Sequence, residues 1–247
     1  YRPPSQGSFG RSRINVTILA PAYNEEDATG QFIGAVMPHL EDDWEILVVD
    51  DGSTDETPQL LEALAAGNSK LRVVTHEQNA GIGAALATGF AAIPDGIIVT
   101  MDADLSHPLD LLPDLVAGCG TADACYGSRF VPGGGMVGVP LWRSAISQVA
   151  NIILRAAYRS PTRDLTTGYR AYRAEAVHGL DLVGEGFETQ LEITIRLIAA
   201  GKTITEIPLV LTTRVAGESK MRYLSLIPPY GLMALRLLGL RWMPSRR

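Results

Sequence analysis

Two cysteines in 247 residues exclude a disulfide scaffold, and Cys119 and Cys125 read as free, buried thiols. Charged residues make up only 19% of the chain against 46% hydrophobic, which excludes an intrinsically disordered protein. No run of about 20 uncharged apolar residues occurs, so no segment is expected to span a bilayer. Residues 1–13 are polar and lack the apolar centre of a secretory leader, so they read as a mobile lead-in. The four histidines have no zinc spacing, and neither a GxSxG elbow nor a Ser/His/Asp arrangement is present. The segment GIGAAL (81–86) approximates a dinucleotide fingerprint, but Leu86 stands where its third glycine belongs and the turn follows the third strand. Lysine is scarce too. Only Lys70, Lys202 and Lys220 occur among 21 basic residues, leaving arginine, the side chain suited to bidentate phosphate recognition.

A formal net charge of −6 disfavours nucleic acid as a partner, yet its distribution is uneven. Residues 1–110 hold 17 acidic and 5 basic side chains, whereas residues 111–247 hold 10 acidic and 16 basic ones. Such a split assigns the two halves different tasks.

Short β-branched runs at 16–20, 45–50, 71–75, 97–101 and 122–126 alternate with helical stretches at about 27–39, 55–66, 82–93 and 108–117. Apolar strands separated by helices predict an α/β fold with a mostly parallel sheet covered on both faces. Ligands in such sheets bind beyond the carboxyl ends of the strands. There the sequence places Pro21 to Glu26, Asp50 to Glu56 with Ser53 and Glu56 at capping-box spacing, the turn at 79–83, and Asp102 to Pro108. Acid thus gathers on one rim, where carboxylates repel unless a cation sits among them. An Asp102-Ala103-Asp104 pair on an extended segment aims two oxygen ligands one way, enough for a hard cation held mainly by substrate phosphates.

The second half carries an amphipathic helical pattern at 139–158, interrupted by Arg143 and Arg155, then a strand near Arg170 and Arg173, a helix at 189–200 and a strand at 203–207. Residues 223–242 are too apolar for a solvated tail and too short and charged to cross a membrane.

In order and spacing, APAYNEE (20–26), VVDDGSTDET (48–57), NAGIGAALATGF (79–90) and DADLSHP (102–108) resemble the nucleotide-sugar half of family 2 glycosyltransferases with the GT-A fold. GSRF (127–130), LWRSAIS (141–147), DLTTGYRAYR (164–173), GFETQLE (186–192) and RVAGESKM (214–221) are similar to the dolichyl-phosphate mannose synthase group, which acts on polyprenyl phosphates. The resemblance spans about residues 16–221. It implies a GT-A domain at 14–221, divided into a nucleotide-sugar half (14–128) and an acceptor half (129–221), followed by an amphipathic membrane-associating segment at 222–247. Pro21, Tyr23 and Glu25 are expected to hold the nucleoside, Asp50 and Asp51 its base and ribose, and Asp102, Ala103 and Asp104 the diphosphate. Asp102, Asp104 and Ser106 would hold a divalent metal, Mg2+ or Mn2+, with Ser106 replacing the family's usual Gln as a shorter ligand that acts through water. Arg129, Arg143, Arg214 and Lys220 match the positions that hold the acceptor phosphate; Asp102, Asp104, Arg129, Arg214 and Lys220 make up the expected catalytic set.

A polyprenyl monophosphate is already ionised near neutral pH, its second pKa being about 6, so attack on the anomeric carbon needs no strong base. The expected reaction is inverting transfer of a hexose, mannose from GDP-mannose first, at the cytoplasmic membrane face. Two alternatives stand beside it: a hydroxyl acceptor deprotonated by Glu188, and a nucleotide-sugar-binding subunit without turnover. Leu238, where a processive synthase has Gln before Arg241-Trp242, argues against a polysaccharide synthase.

Overall fold

A computed structural model describes residues 14–212 and 223–239. Strands β1 (Val16–Ala22), β2 (Trp44–Asp50), β3 (Leu71–Thr75) and β4 (Ile97–Thr100) pair in parallel in the order β3-β2-β1-β4. Beyond β4 lies β7 (Arg170–Arg173), antiparallel to it, then β5 (Ala124–Ser128) and finally β8 (Ile204–Pro208), parallel to β5. The expected fifth strand therefore starts two residues later than the apolar run, and a strand from the second half separates it from β4. One sheet takes strands from both halves. A two-residue pair, β6 (Gly135–Met136) with β9 (Val210–Leu211), stands apart from it.

Alternation along β1 explains the layering. Val16, Ile18, Ala20 and Ala22 face a core closed by α1 (Glu26–Val36), α2 (Thr57–Ala66) and α4 (Leu112–Gly118) through Phe32, Leu61 and Leu115. Leu19, with Leu47 and Val49 of β2, faces the other core, closed by α3 (Ile82–Ala92), α6 (Ala174–Val177) and α7 (Thr189–Ala199) through Leu86, Val177 and Ile193. Both faces are covered, which is why the strands read as unbroken apolar runs.

The two remaining helices differ from these. In α5 (Leu141–Tyr158) only Asn151 and Tyr158 are buried, while Leu141, Trp142, Ile146, Val149, Ile152 and Ile153 are exposed. Helix α8 (Tyr223–Leu237) packs Met233 and Leu237 against Leu191 and Ile195 of α7 and against Tyr158, whose hydroxyl donates to the Ala234 carbonyl. Part of the C-terminal apolar surface is thus spent on the protein itself, while Leu232 and Leu235 face outward. Among the described residues no helix is long and apolar enough to cross a membrane.

Cys119 and Cys125 are free and buried as expected, and burial pushes their thiols up to about 11 and about 12. The thiolate is the reactive form. A thiol-titrating disulfide reagent at pH 8 is expected to label neither cysteine in the native protein and both after unfolding in guanidinium, read by absorbance.

Candidate active site

The carboxyl ends of β1 and β2 are joined by side chains. Asn24, at a positive φ of 51°, accepts from the Thr54 N–H at 2.8 Å, and its own N–H donates to Ser53 Oγ at 2.9 Å. The Glu25 N–H donates to Thr57 Oγ1, and the Glu56 N–H to Glu26 Oε2. These bonds overturn the expected capping box: α2 starts at Thr57, and Ser53 accepts from the neighbouring loop while its N–H donates to Asp50 Oδ1. Pro21 is the last residue but one of β1, and Tyr23 follows the strand, 42% exposed.

The adjacent aspartates have different tasks. Asp51 is buried and saturated: Oδ1 accepts from the Ala80 N–H and faces His76 Nδ1 at 2.8 Å, while Oδ2 accepts from the Gly81 N–H and Asn79 Nδ2. It builds the turn into α3, its two oxygens meeting four protein groups. That turn requires glycine at 81, where φ is 89° and a Cβ would strike the Glu185 carbonyl. Asp50 is fully buried, and its Oδ2 has no hydrogen-bond partner among the described residues.

The Asp102-Ala103-Asp104 group lies past the end of β4, in a turn with Leu105 at φ 56°, not on the extended segment expected for it. Asp104 Oδ1 accepts from the Ser106 N–H at 3.0 Å, and Ala103 and Ser106 are buried. The Asp102 N–H donates to His107 Nδ1 at 3.3 Å, which leaves the proton of the neutral ring on Nε2, 4.0 Å from Asp102 Oδ2. Burial lowers the His107 pKa, partly opposed by Asp102 and Asp104, so the ring is neutral at pH 7; it stacks on Tyr169 at 4.7 Å. Among the described residues no three His, Cys, Asp or Glu side chains cluster as a metal cage. Two exposed-side carboxylates nevertheless fit a hard cation that takes most of its oxygens from phosphates. A Cβ at Gly168 would lie 3.4 Å from Asp102 Oδ1, in van der Waals contact with the carboxylate.

Across the site, Arg129 is gripped by Asp164, an acid the motif reading passed over. Arg129 Nε and Nη2 each donate to its carboxylate at 2.7 Å, the Arg129 N–H donates at 3.1 Å, and Nη2 also reaches Thr166 Oγ1 at 2.8 Å. A usable signal existed: Asp164 is the one acidic residue between Asp123 and Glu175. Arg129 lines a cleft of about 320 Å³ together with Phe130, Pro132, Met136, Ser144 and Gln148. Arg143 lies over the Trp142 ring at 5.2 Å. Arg214 and Lys220 lie outside the described residues.

Glu188, at the start of α7, turns back on its own loop, where Oε1 accepts from the Glu185 and Gly186 N–H groups. Two further residues escaped the sequence reading. Arg170 is wholly buried and donates to the Leu165 and Gln190 carbonyls, and Tyr230 of α8 donates to the Phe187 carbonyl at 2.9 Å.

A mostly parallel sheet with an acidic rim on its first four strands and arginines on the far side is a GT-A-type fold. Residues 17–180 match glycosyl transferase family 2, and the chain belongs to that family and is a glycosyltransferase. It is 36% identical over 214 residues to undecaprenyl-phosphate mannosyltransferase of Micrococcus luteus, covering 84% of this chain and 88% of that protein. It is 38% identical to polyprenol monophosphomannose synthase of Mycolicibacterium smegmatis over 83% of this chain and 80% of the relative. Among solved structures, glucosyl-3-phosphoglycerate synthase from Mycobacterium tuberculosis with Mn2+, UDP and phosphoglyceric acid aligns with a TM-score of 0.69 at 22% identity, covering 94% of this chain and 80% of that one, a likeness of fold.

Proposed function

We propose that this glycosyltransferase moves mannose from a nucleotide sugar, GDP-mannose first, to a polyprenyl monophosphate at the cytoplasmic membrane face, with inversion. The observation that carries the reading is the position of Arg129, which lines a cleft together with α5 residues Ser144 and Gln148 while the same helix leaves six large apolar side chains exposed. Exposed apolar patches of this kind mark interaction surfaces. A phosphate in the cleft and an isoprenoid tail along α5 satisfy both features at once. The names of the two relatives agree with it.

The acceptor phosphate is its own nucleophile, being largely dianionic above pH 6 or so, and the protein's task is to bring two anions together. Arg129 and Arg143 supply positive charge on the acceptor side, with Arg214 and Lys220 as the further candidates. Tyr23 and Asp50, whose Oδ2 has no hydrogen-bond partner among the described residues, are the candidates to hold the nucleoside. Asp102 and Asp104, with Ser106 through water, would hold Mg2+ or Mn2+, which supplies positive charge to the departing diphosphate.

The test combines the protein, vesicles containing undecaprenyl phosphate, Mg2+ or Mn2+, and labelled GDP-mannose, UDP-glucose or dTDP-sugars. Label is expected in the chloroform phase, greatest with GDP-mannose; none with any donor sinks the reading. Glu188→Gln is expected to keep transfer within about threefold, because the amide oxygen still accepts both loop N–H groups. Abolished transfer would favour a hydroxyl acceptor with Glu188 as base.

A further inference from the structure

Helix α5 is inverted relative to a surface helix. Six of its large apolar side chains are exposed, and the side chain it buries at mid-length is Asn151. A buried amide costs free energy unless it is hydrogen-bonded, and this one is. Oδ1 accepts from the Leu165 N–H at 2.8 Å; Nδ2 donates to the Ser147 carbonyl at 2.9 Å and to Thr166 Oγ1 at 3.1 Å. Because the Leu165 amide can only donate, the orientation of the Asn151 amide is fixed. Thr166 Oγ1 is the atom that also accepts from Arg129 Nη2, and it donates in turn to Asp164 Oδ1 at 3.3 Å. One hydroxyl therefore joins α5 to the arginine.

From these bonds we propose that Asn151 is the positioning residue that sets Arg129 relative to α5, and so places the acceptor phosphate for a lipid lying along that helix. This deepens the function proposed above and rests on it. The remaining contacts of the connection at residues 163–168 keep it stiff: Glu206 of β8 accepts from the Arg163 and Asp164 N–H groups, and Arg170 holds the Leu165 carbonyl. The same connection ends at Gly168 beside Asp102. A shift of α5 thus reaches Arg129 through Asn151 and Thr166, while the Asp102 side stays fixed by β7 and β8.

Asn151→Leu removes the amide at similar volume, and Thr166→Val removes the shared hydroxyl at the same shape. In the vesicle assay each variant is expected to raise the acceptor KM about tenfold, as loss of a buried hydrogen bond allows, with kcat and donor KM within about twofold. The double variant is expected to add little, since both changes break one bridge. A merely structural role moves donor and acceptor KM together or neither, and either result overturns the proposal. Calorimetric titration with farnesyl phosphate needs no turnover and separates this proposal from the reaction. Binding by the wild type and about tenfold weaker binding by both variants supports it even if no sugar is transferred. No binding by the wild type, or equal binding by all, overturns it.

Discussion

Asp102→Ala is expected to lower transfer by about three orders of magnitude, equivalent to roughly 4 kcal/mol of transition-state stabilisation, with little change in melting temperature. The two halves of that expectation have separate causes. Catalytically, the leaving nucleotide diphosphate gathers negative charge as the glycosidic bond breaks, and Asp102 and Asp104 are the carboxylates proposed to hold a cation against it. Structurally, the Asp102 side chain is a third exposed, and its Oδ2 lies 4.0 Å from His107 Nε2. The bond that fixes the turn runs from the Asp102 backbone to His107 Nδ1 and survives the substitution. Asp104→Ala additionally strips the acceptor from the Ser106 N–H and is expected to lose activity and a little stability together. Initial rates at saturating donor and divalent cation, beside thermal melts, check both. A loss of less than about tenfold for Asp102→Ala would remove it from the reaction.

The sequence pattern captured the parallel sheet because β1, β2 and β4 are buried on both faces, which leaves apolar runs too short for helices and rich in β-branched residues. It found a strand at Arg170–Arg173 but could not place it in the sheet, where it pairs with β4 on one side and β5 on the other, and where Arg170 is the largest fully buried side chain among the described residues. Local hydropathy has no term for a guanidinium satisfied by two backbone carbonyls and a Tyr126 ring 4.0 Å away. The capping box failed for a related reason: Ser53 had the right spacing, but a long-range partner, the Asn24 N–H, took its hydroxyl.

At the site, residue type and position pointed correctly to the rim and not to the division of labour on it. Asp50 and Asp51 are chemically identical neighbours. Which is saturated depends on the α3 turn some 30 residues away, and only the fold brings Ala80 and Gly81 to Asp51. Asn151 was hidden by the pattern that exposed its helix, since an amphipathic stripe invites attention to the apolar residues and here the polar one is inside.

Asp164→Ala is expected to be the most destabilising single substitution in the acceptor half. It removes a buried carboxylate that accepts from Arg129 three times, from Thr166 N and Oγ1, and from Thr167 N, and it leaves the Arg129 guanidinium, itself 13% exposed, without its counter-charge. Breaking a buried pair from one side costs about 3–5 kcal/mol. In a chain of this length that is a fall of roughly 10 °C in melting temperature. Asp164→Asn keeps an acceptor oxygen and is expected to fall between. The pair also carries a pH signature. Burial pushes the Asp164 carboxyl up, but the Arg129 charge and hydrogen bonds, with the Thr166 N–H, outweigh it and hold the group below the usual carboxylate range. A carboxyl with a depressed folded-state pKa contributes stability that is full above its unfolded value of about 3.9 and lost as pH falls through the folded value. The wild-type urea midpoint is therefore expected to drop more steeply than that of Asp164→Asn below about pH 4, the two curves converging toward pH 2. Parallel curves over that range would show that the Arg129–Asp164 pair contributes no net charge stabilisation, and that the Thr166 and Thr167 hydrogen bonds alone hold this turn.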